Sequence, residues 1–290
     1  MIGGENMKEI KIIADSTCDL PQELVDKYDI DIFPLHVHLD EKDYSDGVDI
    51  TPDQIYEWSN STNKTPKTSA LSPMEAENYL TNALSQAKYV LCFTISEHMS
   101  SCCSVMFTVS RQLDLGDRAL VVNSGNLSSG IALQILMAAD MAEKGYSCVE
   151  ILNSIKEVQS KVNSSFVVDT LTFLHRGGRC SGVAAMAGNA LKLHPKIQVK
   201  EGKMEVGKFY RGSLNRTLKH YVNDLKPLLL NARNERVFIT HSGMDNELIE
   251  FVKKEVESLN YFNEIYVNRA GSIISSHCGP NTLGILFIDK

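Results

Sequence analysis

Five side chains in this 290-residue chain stand where they could hold or transform an anion: Thr68, Ser69, Ser100, Arg211 and His277. Thr68 and Ser69 lie just upstream of Ser72-Pro73-Met74-Glu75, a capping box with proline at the first helical position. The unpaired N–H groups and dipole of a helix start favour an anion nearby, and capping accounts for Ser72 but not for Thr68. Ser100 belongs to a hydroxyl-rich loop, Ser96 to Ser101, between an apolar run and a helical pattern. His277 stands among glycines and small residues between Gly271 and Asn281, so backbone rather than bulk is expected to hold it. Arg211 closes a hairpin pattern that turns at Glu201-Gly202. Arg176 and Arg179 flank the Gly177-Gly178 pair and make a local basic patch. Ser100, His277 and Asp15 could serve as nucleophile, base and orienter, but no strained nucleophile elbow accompanies them. His36 and His38 share one strand face without a third metal ligand, and read as a half-exposed polar face.

The elements that must position these residues follow from pattern. Lys11 to Ala14 is a short buried strand leading into Asp15-Ser16-Thr17-Cys18-Asp19, where Asp19 and Gln22 suggest a capping box. Asp15 and Ser16 are equally well explained as loop chemistry or as ligand contacts. Ile30 to Leu39 alternates as a strand, interrupted at Pro34. Thr51 and Ser147 each start a helix. Tyr89–Ile95 is a buried strand and Ala119–Val122 a further strand, each followed by a polar loop and a helix. Repeated strand–loop–helix units indicate a parallel sheet with helices on both faces. After Phe166 the order changes: hairpin strands at 195–211, a helix from Ser213, strands at 236–241, 263–268 and 283–288, and a helix near 245–258. This suggests a second, mixed α/β domain. The small residues from Ala184 to Ala190 suggest a helix over 183–193, serving either close packing or a cavity wall.

A net charge of −7 argues against nucleic acid as the main partner. Seven cysteines without a C-x-x-C pair suggest reduced thiols and a cytoplasmic location. No apolar run reaches the length of a membrane span, and residues 1–7 lack the apolar core of a signal peptide. The P-loop, G-x-G-x-x-G, G-x-S-x-G and H-E-x-x-H patterns are absent, which removes the commonest kinase, dehydrogenase, esterase and metalloprotease readings.

Across nearly the whole chain, a series of short motifs keeps a specific order and spacing. They are Asp15-Ser16-Thr17-Cys18-Asp19-Leu20, Lys67-Thr68-Ser69, Met99-Ser100 after Ser96, Asn123-Ser124, Gly177-Gly178-Arg179, Arg211, and His277 with Gly279. In these the chain resembles the DegV family of fatty-acid-binding proteins, the acyl-carrying subunits of bacterial fatty acid kinase. The resemblance implies a two-domain α/β fold: a Rossmann-like parallel-sheet domain over 1–164 and a mixed-sheet domain over 165–290. The segment near 50–75 is a candidate to pack with the second domain. A long-chain fatty acid such as palmitate, stearate or oleate would lie between the domains, its carboxylate presented to the kinase's catalytic subunit for acyl-phosphate formation. The implied ligand-binding set is Thr68, Ser69, Ser100, Ser101, Arg211, His277, Cys278 and Gly279, with Arg176 and Arg179 as partner-docking candidates. No cofactor, metal or nucleic acid is implied, and any membrane contact would be transient. The chain departs from the family pattern at Ala70, Ser101, Cys102, Cys103, Asn123 and Cys278. The competing readings are an enzyme in its own right, acyl hydrolase or kinase-related, and a small-ligand-binding regulator.

Overall fold

Pro34 divides the alternating run after Ile30 into two strands that enter different sheets. The computed structural model describes residues 7–181 and 193–290. It opens with β1 (Lys8–Asp15), α1 (Gln22–Tyr28) and β2 (Asp31–Phe33). β3 (His36–Leu39), β4 (Lys42–Ser45), α2 (Pro52–Thr62) and β5 (Lys67–Ser69) follow. Next come α3 (Pro73–Gln86), β6 (Ala87–Thr94), α4 (Cys102–Gln112), β7 (Ala119–Asn123), α5 (Ser129–Glu143) and α6 (Cys148–Gln159). The later half contains β8 (Val162–Val167), α7 (Thr172–Gly177), β9 (Cys180–Ser181), β10 (Leu193–Lys200), β11 (Lys203–Arg211) and α8 (Leu214–Leu229). It ends with β12 (Arg236–His241), α9 (Asn246–Glu257), β13 (Glu264–Arg269), α10 (Ser272–Cys278) and β14 (Leu283–Ile288).

Three sheets result. The first is parallel throughout, in the order β2-β1-β6-β7. The second is mixed, in the order β13-β12-β14-β8-β10-β11-β9. The third is a small antiparallel sheet, β4-β3-β5, which leaves β5 at its edge. Strand β8 lies wholly within the mixed sheet, so the division expected at 164/165 falls inside it. Helix α5 is apolar nearly all round, as a helix covered on every side must be, and it packs against strands of both large sheets. One apolar core runs from β1 and β6 through to Phe166, Ile197 and Ile273, and a second lies under α8 and α9.

The helix starts at Thr51, Ser72 and Ser147 are complete capping boxes, as their spacing predicts. Two local expectations are overturned. Asp19 does not cap α1, whose N-cap is Pro21 without a side-chain bond; Asp19 is drawn away by partners far along the chain. The stretch around His277 is not a backbone-held loop but helix α10, bounded by Gly271 and Gly279. Serine competes with helix in a local reading, yet here Ser275 and Ser276 turn their hydroxyls back onto the carbonyls of Ala270 and Ser272. The expected helix 183–193 lies outside the described residues, apart from Leu193, which opens β10.

Candidate functional site

A cavity of about 300 Å³ lies between the parallel-sheet and mixed-sheet parts. Leu35, Ile95, Met99, Phe166, Leu174 and Met204 contribute to its apolar wall. Its polar side gathers Thr68, Ser69, Ser100, Ser101, Arg179 and His277 from four separate elements and loops. Edge strand β5 carries Thr68, and its short length follows from the helix start that Ser72 and Pro73 impose directly after it. Helix α10 carries His277 and α7 ends beside it. Gly178 stops α7 in the left-handed region at φ +67°, the conformation that costs glycine least.

Thr68 Oγ1 lies 2.8 Å from His277 Nε2. The other ring nitrogen, Nδ1, is buried without a hydrogen-bond partner among the described residues. It faces Gly177 so closely that a Cβ there would lie 2.5 Å from Nδ1. A bare lone pair tolerates an adjacent Cα–H, whereas a buried N–H without an acceptor is costly. We therefore assign the proton to Nε2, which donates to Thr68 Oγ1 and leaves the threonine hydroxyl free to donate into the cavity. Burial holds His277 well below its ordinary value, at about 4, and the nearby Arg179 guanidinium adds to the shift. The imidazole is thus neutral at physiological pH. Arg179 Nη1 donates to the Gly177 carbonyl at 2.7 Å, which ties its guanidinium to the same corner. Opposite, Ser100 Oγ accepts from Cys102 N at 3.3 Å at the start of α4, whose N-cap Ser101 makes no side-chain capping bond.

Beneath this corner lie buried carboxyl groups. Asp15 accepts from the Ile95 N–H at 2.8 Å and from the Thr17 hydroxyl. Asp19 accepts from the Gly271 N–H at 2.8 Å and the Ser128 hydroxyl, and Asp46 accepts from the Ser272 N–H at 2.6 Å. Asp19 and Asp46 therefore tie the first part of the chain to the start of α10, which carries His277. A Cβ on Gly271 would lie 3.1 Å from Asp46 and 3.3 Å from Asp19, so glycine is what lets the helix start approach both. Burial raises Asp15 and Asp46 above the ordinary carboxyl range and brings Asp19 to about 8. Sequence reasoning missed Asp46, because Asp46-Gly47 has only the signature of a turn.

The structure brings Thr68, Ser69, Ser100, Ser101, His277 and Cys278 to one cavity. Arg179 joins them there, and Arg176 instead donates from Nη1 to Thr65 Oγ1 at 3.1 Å and to the Asn63 carbonyl. Arg211 is exposed at the end of β11 and does not line the cavity. Gly279 acts on packing: at φ +73° a Cβ would lie 2.6 Å from the Phe173 ring. The trio Ser100, His277 and Asp15 is not assembled. His277 is bonded to Thr68, and Asp15 to Ile95 and Thr17.

The family model described as "Uncharacterised protein, DegV family" matches residues 9–290. The chain belongs to the DegV family. A DegV domain-containing protein of Clostridium acetobutylicum is 31% identical over 284 residues, covering 98% of this chain and 100% of that protein. Among solved structures, a DegV family protein from Thermus thermophilus, described for its fatty acid binding, superposes with a TM-score of 0.89 at 29% identity. It covers 97% of this chain and 100% of its own. A stearic-acid-binding protein from Eubacterium ventriosum superposes with a TM-score of 0.82 at 27% identity, covering 97% and 98% of the two chains. Ser101, one of the departures from the family pattern, sits at an ordinary φ of −78°. Asn123, another departure, accepts the Glu97 and Gly125 N–H groups at its Oδ1. Cys102, Cys103 and Cys278 are all buried.

Proposed function

We propose that this DegV protein binds one long-chain fatty acid, its tail in the apolar cavity and its carboxylate against Thr68, Ser100 and the His277–Arg179 corner. The Thr68–His277 hydrogen bond in a largely apolar cavity carries this reading. A carboxylate leaving water needs its oxygens satisfied. The Thr68 and Ser100 hydroxyls and the N–H groups opening α4 supply neutral donors, and Arg179 adds its charge at the same corner. Each buried methylene of the tail contributes about 0.8 kcal/mol. The relatives that bind fatty acids support the ligand class.

In this reading the chain is a carrier. A partner kinase phosphorylates the held carboxylate to an acyl-phosphate, with Arg176 as its docking contact. The carrier works in the cytoplasm, and no described helix is long and apolar enough to cross a membrane. The test is mass spectrometry of the organic extract of the native protein, followed by loading with palmitate, stearate and oleate. A stoichiometric fatty acid that is lost in the Thr68→Ala/Ser100→Ala double variant is expected; unchanged loading in that variant sinks the head-group assignment. Arg176→Glu should slow acyl-phosphate formation by an added kinase and leave lipid content intact.

A further inference from the structure

The head-group reading leaves a second histidine unused. His38, on β3, lies between Asp43 on β4 and Ser69 on β5, all in the small antiparallel sheet. His38 Nδ1 is 2.6 Å from Asp43 Oδ1, and its Nε2 is 2.8 Å from Ser69 Oγ. The β3–β4 register sets His38 directly opposite Asp43, so this contact follows from strand pairing. Asp43 accepts Nδ1–H, which leaves Nε2 as the acceptor for the serine hydroxyl. Carboxylate, imidazole and hydroxyl thus stand in the order of an acyl-transfer triad, on a fold unrelated to those where triads are usual. Ser69 is exposed to an incoming substrate and lines the mouth of the cavity assigned above to the acyl tail.

We propose that Ser69, His38 and Asp43 form a hydrolytic site for long-chain acyl thioesters or oxyesters whose tail occupies that cavity. The tail specificity rests on the fatty-acid reading; the triad does not. Ser69 Oγ bonds to the carbonyl carbon while its proton passes to His38 Nε2. The tetrahedral adduct collapses, the bond to the thiolate or alkoxide breaks, and the leaving group takes the proton from His38. Water then attacks the acyl-serine, gives a proton to His38, and the fatty acid departs as Ser69 recovers its hydrogen. The sum is acyl compound plus water giving fatty acid plus thiol or alcohol. Asp43 is a positioning residue, and its exposure to solvent makes its effect the smaller.

The test treats the full chain with a fluorophosphonate probe, and separately assays 4-nitrophenyl palmitate, 4-nitrophenyl acetate and a palmitoyl thioester. Peptide mass spectrometry is expected to find the adduct on Ser69. Hydrolysis is expected to favour palmitoyl over acetyl, to vanish in Ser69→Ala, and to fall at least about 100-fold in His38→Gln, the span of general acid–base catalysis. Asp43→Asn should cause a smaller fall and shift the pH profile of kcat. Fatty acid loading of His38→Gln and Asp43→Asn should match the native chain, which shows that both fold. Normal loading with no Ser69 adduct, or with hydrolysis unchanged in Ser69→Ala, overturns this site and leaves the carrier reading standing. Ser69-dependent hydrolysis in a chain that takes up no fatty acid supports the triad and sinks the carrier reading. Equal turnover of acetate and palmitate esters overturns the long-chain substrate class.

Discussion

Adjacent residues on β5 meet two different histidines. Thr68 turns to His277, whose Nδ1 is buried against Gly177 and whose ring is held neutral. Ser69 turns the other way, to His38, which is partly open to solvent and backed by a carboxylate. Alternation along a strand sends neighbours to opposite faces, and because β5 is an edge strand both hydroxyls still reach the cavity. The same pair of groups, hydroxyl and imidazole, serves different chemistry on the two faces. Without a carboxylate, the inner imidazole orients a donor and does not titrate in the physiological range. With one, the outer imidazole is set to accept a proton. Burial and the third group, more than residue type, decide which.

The largest test of that contrast is pH. The folded chain resists protonating His277 down to about 4, while an unfolded histidine takes its proton near 6.5. The stability from the neutral ring is therefore fully present above 6.5 and is lost as pH falls from 6.5 to about 4. It amounts to at most about 3 kcal/mol at 1.36 kcal/mol per unit. Denaturant melts at each pH between 7 and 4 should show the stability advantage of the native chain over His277→Gln shrinking by this amount, since the opposing contribution of Asp19 is common to both; parallel profiles would refute a neutral ring.

Gly177→Ala attacks the inner histidine through its cradle. The new Cβ would lie 2.5 Å from Nδ1, so the ring must move off Thr68. The expected cost is about 1–3 kcal/mol in stability, with weaker fatty acid binding in a loading assay, and hydrolysis at Ser69 unaffected. Thr68→Val keeps the shape but strands the His277 Nε2–H, for about 1–2 kcal/mol. Calorimetric titration with a fatty acid should show roughly a tenfold fall in affinity, the equivalent of about 1.4 kcal/mol. Undiminished affinity would remove the threonine from the head-group site.

The smallest effect is expected at Asp19. Its carboxyl keeps a proton up to about 8, whereas the unfolded chain releases it near 3.8, so native stability declines as pH rises between those values. Asp19→Asn can keep both hydrogen bonds, to Gly271 N and the Ser128 hydroxyl. At pH 7 it should melt within about 1 kcal/mol of the native chain or above it, and lose the decline between pH 3.8 and about 8. A variant that is strongly destabilised at pH 7 would mean that Asp19 is ionised in the fold.

Elements announced by local chemistry were legible. The capping boxes at Thr51, Ser72 and Ser147 and the strands β6, β7 and β14 depend on residues within a few positions of one another. The DegV motifs were legible because their order survives even where single residues have changed. Asp19 read as a cap and proved to be a tie to Gly271, because its partners lie more than a hundred residues away. His38 read as one of a polar pair, because its serine arrives on β5 after a whole intervening helix.

The sequence alone thus determined which segments become strands and helices, since propensity, capping and apolar spacing act within a few residues. It also determined that hydroxyls, arginine and histidine would stand at segment ends. Which histidine met which hydroxyl was decided only by the tertiary fold. Edge strand β5 lies between two imidazoles that the chain carries 31 and 209 residues from their partners. The protonation of the inner ring, His277, depends on how little water the packed structure leaves around it, a quantity set by neighbours from every part of the chain.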